Sequence, residues 1–268
     1  MEKMRPEKNL IEVEGNIIET LPIHCERNVK RNSGGLREIT KRPSGTIEID
    51  HHSRYWTEFD LDVIMAIFGL SKVNGEARKF NATKKDIANM LGLKYNPETG
   101  REINESMREI AATLHYSGSF YDVSGKKYSA TGATHLFSYY FVDAVDMKRN
   151  KISGRAVRKE SWISIGEEIW QSLKSGYYKI IDLETYKLLP RGWVRKTYLF
   201  IEKRLGGKSE YTENLESLIR SITGKEIITA NDKNLFKRRT LKKLSHFYNY
   251  KFENGLLTIT RAEHIACR

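Results

Sequence analysis

Apolar and polar residues alternate along this chain with a period that switches between two and about 3.6, and the switches mark out its elements. Thr46-Ile47-Glu48-Ile49-Asp50 alternates strictly, as a half-buried strand does. Thr57-Glu58-Phe59-Asp60 has the spacing of a capping box and opens a helix over 61–70, where Leu61, Ile64, Met65 and Phe68 recur at helical spacing. Thr83-Lys84-Lys85-Asp86 repeats that cap ahead of Ile87, Met90 and Leu91, and Gly92 stops the helix. After a turn at Asn96-Pro97, a third helix over about 103–115 sets Ile103, Met107, Ile110 and Leu114 on one stripe. From Gly118 the pattern changes to strands, over 120–123 and 136–145, with a turn at Ser124-Gly125-Lys126-Lys127.

The same order returns further on. Residues 162–165 and 177–182 predict strands around a short helix over 166–173, and 184–205 reads as helical with Pro190 interrupting it. A helix over 212–222 carries Leu215, Leu218, Ile219 and Ile222 on its buried stripe. Asn231 or Asp232 then caps a third helix running to about Tyr248. Residues 248–252 and 256–260 flank Asn254-Gly255, the strongest short hairpin signal. Helix, helix, turn, helix, hairpin is the order of a winged helix-turn-helix domain, so the expected fold is α+β, two such domains in tandem. We expect an N-terminal arm over 1–45, partly disordered, an N-terminal winged-helix domain over 46–150 and a C-terminal DNA-binding one over 151–268. The basic, apolar-poor stretch 148–159 supplies the boundary.

Charge sharpens this picture. The net charge of +12 predicts a polyanionic partner, and residues 189–268 hold seventeen Lys and Arg against eight Asp and Glu, nine of those twelve charges. On the last helix Phe236, Thr240, Leu241, Leu244, Phe247 and Tyr248 share one side, while Arg238, Arg239, Lys242, Lys243 and His246 share the other. A basic helix face is ordinarily just a solvated one. Here its place as third helix, the wing after it and the charge asymmetry favour DNA, with Asn234 suited to adenine and Leu235 to a thymine methyl. In the first half the third helix offers Asn104, Arg108 and His115, but also Glu105 and Glu109, which phosphates repel. Lys126 and Lys127 in the wing turn, and Arg155, Arg158 and Lys159 in the linker, are the phosphate candidates there.

Other chemistry falls away on spacing. Gly207-Lys208-Ser209 resembles the end of a phosphate-binding loop, yet the glycine that motif requires five residues earlier is Glu202. His51-His52 invites comparison with the metal-binding histidines of relaxase-type nicking enzymes, but adjacent strand residues point to opposite faces; Tyr55 would be the nucleophile of such a nicking initiator. His24, Cys25, His264 and Cys267 would make a four-ligand zinc set only if the termini met, and they lack finger spacing. We therefore expect no catalysis, cofactor or metal. Two cysteines exclude a disulfide framework, and no run reaches the roughly 18 apolar residues of a membrane span, so a cytoplasmic protein is expected.

With this layout, the sequence resembles plasmid-encoded replication initiator proteins of the tandem winged-helix, replication initiator protein A-like type. The resemblance rests on Gly45-Thr46-Ile47-Glu48-Ile49 ahead of Asp60-Leu61-Asp62-Val63-Ile64, on the helix before Gly92, and on Trp162, Tyr177-Tyr178-Lys179-Ile180-Ile181-Asp182, Leu188-Leu189 and Tyr198-Leu199. It spans residues 45–262. It implies binding to repeated double-stranded sites in a replication origin, autoregulation of the protein's own promoter as a homodimer, and recruitment of host helicase and primase. It also implies Arg238, Arg239, Lys242 and Lys243 as the main base contacts and Lys126 and Lys127 as a weaker wing. A winged-helix transcriptional regulator is the alternative, because the contact physics of the two is the same.

Overall fold

The computed structural model describes residues 10–14, 36–42, 45–117, 120–121, 127–128, 133–142, 160–176, 178–223, 225 and 227–262. The chain divides into two compact units between Ile180 and Ile181, and each is a winged helix-turn-helix.

In the first unit, α1 (Glu58–Val73) is the central element. Its residues from Asp60 to Ser71 are all buried, as befits a helix that is apolar on nearly every side. Its start is fixed by Asp60, whose Oδ2 accepts from the Thr57 amide at 2.5 Å and which also holds Arg54 through two guanidinium bonds, at 2.5 and 2.9 Å. β4 (Lys79–Asn81), α2 (Lys84–Met90) and α3 (Pro97–Ala112) follow. Thr83 and Asp86 close the capping box expected for α2. At α3 Asn96 is itself the cap, accepting from the Thr99 amide at 2.8 Å, with Pro97 at the first helical position. Proline suits that place because its missing N–H would have had no partner, and the helix therefore starts six residues before the expected Ile103.

The wing sheet of this unit differs from expectation. β9 (Phe137–Tyr140) and β10 (Trp162–Ile165) pair antiparallel, with Ile163 opposite Tyr139, and β10 also pairs β4 with Ile163 opposite Phe80. The order is β4-β10-β9, so β10 is the middle strand. The stretch 148–159, expected as the interdomain boundary, instead falls between β9 and β10 of one sheet, and the expected boundary at 150 lies inside the first unit. α4 (Glu167–Lys174) follows β10 directly; its cap Gly166 passes so close to the chain that an added Cβ would meet the His135 carbonyl oxygen at 2.1 Å.

The expected arm contains two described strands, β1 (Leu10–Glu14) and β2 (Leu36–Arg42). β2 pairs β3 (Gly45–His51), which pairs β5 (Leu114–Ser117), which pairs β8 (Ala133–Thr134). His115 thus lies in β5, beyond the third helix. β6 (Phe120–Tyr121) and β7 (Lys127–Tyr128) form a small hairpin outside the wing sheet.

The division falls within β11 (Tyr178–Asp182), which leads into α5 (Leu183–Leu188) of the second unit, with Pro190 separating α5 from α6 (Trp193–Leu205). β12 (Glu210–Asn214) occupies the stretch read as the start of the next helix, so α7 begins only at Leu215 and runs to Thr223. A helical segment over 230–244, here α8, is built from Ala230–Phe236, a π-helical turn Lys237–Leu241 and Lys242–Leu244. β13 (Tyr248–Glu253) and β14 (Leu256–Arg261) close the fold in the order β12-β14-β13. In both units the last strand sits between the other two. No described helix is long and apolar enough to cross a membrane.

Candidate nucleic-acid interface

α8 starts on a capping box at Thr229, two to three residues before the expected Asn231 or Asp232. Thr229 Oγ1 accepts from the Asp232 amide at 3.2 Å, and Asp232 Oδ2 accepts from the Thr229 hydroxyl at 2.7 Å and amide at 3.0 Å. Lys225 adds an ion pair at 3.1 Å. The Thr229 bonds, helped by Lys225, hold the Asp232 carboxyl down at about pKa 2. Thr229 to Asp232 repeats the spacing of Thr57 to Asp60 and Thr83 to Asp86, so this cap was legible in the residues.

Beyond the cap the helix has two faces. Phe236, Thr240, Leu241 and Leu244 are 0 to 3% exposed, while Asn234, Arg238, Arg239, Lys242, Lys243 and His246 are exposed and Leu235 is half-buried. Tyr248, read as the end of the helix, is the first residue of β13. His246 stands edge-on to Phe247, 5.4 Å between ring centres. The cations around this face are engaged. Lys233 pairs with Glu216 and Lys225 with Asp232, and Lys237 lies 4.2 Å over the Phe252 ring of β13. Among the described residues Arg238, Arg239, Lys242 and Lys243 have no ion-pair partner. Four uncompensated charges on one solvated face make a local positive potential that phosphates and guanine edges can meet.

The wing beside the helix turns at Asn254 and Gly255, with φ of +50° and +78°. Positive φ at both central residues is the geometry of the tightest hairpins, and asparagine followed by glycine suits it best. Sequence reasoning missed what anchors this wing. The Tyr248 hydroxyl donates to Glu202 Oε1 at 2.6 Å, and Arg261 donates to both Glu202 oxygens, at 3.0 and 2.8 Å. Glu202 belongs to α6, so the network bolts that helix to β13 and β14. Burial, reinforced by the Glu202 charge, pushes the Tyr248 hydroxyl pKa well above its usual range. Only a spacing of 46 and 59 residues links Glu202 to its partners, and no local pattern signals that.

In the first unit, Asn104 and Arg108 are exposed on α3 as expected, and Glu105 is exposed with them. Glu109 is not part of that face. It is 7% exposed and accepts from the Ser53 amide at 3.1 Å and from the Ser53 hydroxyl. The repulsion ascribed to it is therefore absent from the outer surface, while the earlier start of α3 adds exposed Arg101. Lys127 lies in β7, where no side chain is described, and Lys126, Arg155, Arg158 and Lys159 lie outside the described residues, as do His24, Cys25, His264 and Cys267. Among the described residues, no group of His, Cys, Asp and Glu is placed to hold a metal ion.

No protein-family model matches the chain. No curated protein matches it either. Its fold is similar to the crystal structure of selenomethionine derivatives of domains 2 and 3 of RctB, at 15% identity over 92% of this chain and 98% of that one, with a TM-score of 0.60. A second crystal structure of RctB domains 2 and 3 gives 13% identity over 93% and 98%, with a TM-score of 0.53.

Proposed function

We propose that this protein binds double-stranded DNA at repeated sites of a replication origin and acts there as an initiator, by recognition alone and without catalysis or nucleotide. The observation that carries the reading is the exposed face of α8, where Arg238, Arg239, Lys242 and Lys243 stand without ion-pair partners among the described residues, beside an Asn254-Gly255 wing. The tandem fold and the resemblance of residues 45–262 to plasmid initiators support the origin as target. Asn234, Leu235 and His246 flank the four cations; Asn104 and Arg108 serve the first unit, with Lys126, Lys127, Arg155 and Arg158 as phosphate contacts. Homodimerisation, promoter autoregulation and recruitment of host helicase and primase belong to the same proposal.

The test is fluorescence anisotropy against duplexes enriched from a random library by the full chain. Arg239→Ala with Lys242→Ala should weaken the specific complex by about 1–3 kcal/mol for each lost base contact. It should also reduce the salt slope by about one for each lost phosphate contact. Unchanged affinity removes this face from the interface. Enriched sites arranged as direct repeats in the source replicon support initiation, whereas a lone palindrome beside an operon supports a transcriptional regulator. Metal-dependent cleavage of single-stranded origin DNA, abolished by Tyr55→Phe, would replace the proposal with a nicking enzyme.

A further inference from the structure

With Thr229 as the cap of α8, Asn231 is released from that role. It stands inside the α-helical part Ala230–Phe236, and Asn234 follows it three residues on. Residues at that spacing are one turn apart along a helix and about 60° apart around it, so the two side chains are neighbours. Phe236 is fully buried, and it lies about 140° round the helix from Asn231 and about 160° from Asn234. Both carboxamides therefore point away from the core. Both are exposed, and neither has a hydrogen-bond partner among the described residues.

The surface around them is neutral. Between Thr229 and Phe236 the charged side chains are Asp232 and Lys233, and each is paired, Asp232 with Lys225 and Lys233 with Glu216. Among the described residues, the exposed cations without ion-pair partners begin only at Arg238. Leu235, four residues after Asn231, is half-buried beside the two amides. Asparagine is a poorer helix former than alanine, so two of them with no bond to the rest of the unit do nothing for the stability of α8.

A base edge gives them a use. A carboxamide matches the major-groove edge of adenine, its oxygen accepting from N6 and its nitrogen donating to N7, and the methyl of the paired thymine suits an apolar side chain such as Leu235. In helix-turn-helix docking the leading residues of the third helix are those that reach base edges. Cations at that place would be drawn to the phosphates of any sequence. Neutral amides gain only where donor meets acceptor. We infer that Asn231 and Asn234 read adenine at two neighbouring base pairs, so that the leading part of α8 selects A·T pairs while the cations from Arg238 onward meet the DNA that follows. This rests on the DNA-binding reading of α8 and deepens it, adding Asn231 to the interface and naming the bases that this part of the helix takes.

The experiment uses the full chain and the duplex that the wild type enriches from a random library. Each adenine of that duplex is replaced in turn by 7-deazaadenine, which keeps its pairing with thymine but lacks the N7 acceptor. The expected result is a loss of about fivefold or more in wild-type affinity at two neighbouring base pairs. Asn231→Ala should be indifferent to the replacement at one of them and Asn234→Ala at the other. Both variants should keep the wild-type salt slope, because a neutral side chain releases no counterion. Each leaves the Thr229 and Asp232 cap in place and substitutes a better helix former, so folding is retained, and helix content and melting verify it. If either variant keeps the wild-type sensitivity at every adenine, or if the enriched duplex holds no neighbouring A·T pairs, the inference is overturned. If the wild type enriches no sequence at all, the DNA-binding reading fails instead, a separate outcome.

Discussion

Glu202 is the residue whose loss should be felt furthest from its own position. Glu202→Gln keeps the volume and leaves an oxygen for the Tyr248 hydroxyl, but it places amide hydrogens against the Arg261 guanidinium, which now donates at 2.8 and 3.0 Å. Removing one partner of a buried ion pair costs about 3–5 kcal/mol. Glu202 keeps only 10% of its side chain in water, but Arg261 keeps 30%, and that access reduces the expected cost to about 2–3 kcal/mol. The network joins α6 to β13 and β14, so the loss should appear as easier opening of the wing. Amide hydrogen exchange resolved to 248–261 should quicken by about 30- to 150-fold, while β10 in the first unit exchanges at its wild-type rate. Tyr248→Phe, which spares the guanidinium pair, should cost less, about 1–2 kcal/mol. Exchange in β13 and β14 within threefold of wild type for Glu202→Gln would refute the assignment of the carboxylate as the anchor of the wing.

Two further outcomes follow from the same unit. Asp232 is held at about pKa 2 against an ordinary 3.8 by Thr229 and Lys225; a depressed carboxyl stabilises above the unfolded value, and that support is lost as pH falls through the folded one. The start of α8 should therefore weaken between about pH 4 and 2, and Asp232→Asn should remove that acid-dependent step from a pH titration followed by amide shifts of residues 229–233. Gly255→Val forces a branched side chain to φ +78°; the wing should lose about 1–2 kcal/mol or more, read by exchange across the hairpin, and an unchanged hairpin would contradict the turn geometry.

What could be read in advance was local. Capping spacing at Thr57, Thr83 and Thr229, the two-residue turn at Asn254-Gly255 and the opposed faces of 236–244 all depend on residues within a few positions of each other, where pattern and physics coincide. Pairings across long separations left no such trace. β10 reaches β4 from Trp162 to Asn81, β3 reaches β5 from Asp50 to Leu114, and Glu109 turns inward because Ser53 is there to receive it. The π-helical turn at Lys237–Leu241 left no trace either, because Phe236, Thr240, Leu241 and Leu244 lie within an arc of about 140° on a plain α-helix and read as one buried stripe.

The central position of β10 governs how the protein can be dissected and in what order it assembles. A fragment ending at residue 150 would hold β4 and β9 with nothing between them, each exposing a row of unpaired amides and carbonyls ready to recruit a foreign strand. During synthesis, too, the wing sheet of the first unit must wait until Trp162–Ile165 has left the ribosome, although its three helices are complete by Ala112. Such late closure over a long loop slows folding, and a truncation meant to isolate the first unit should run through at least Ile180.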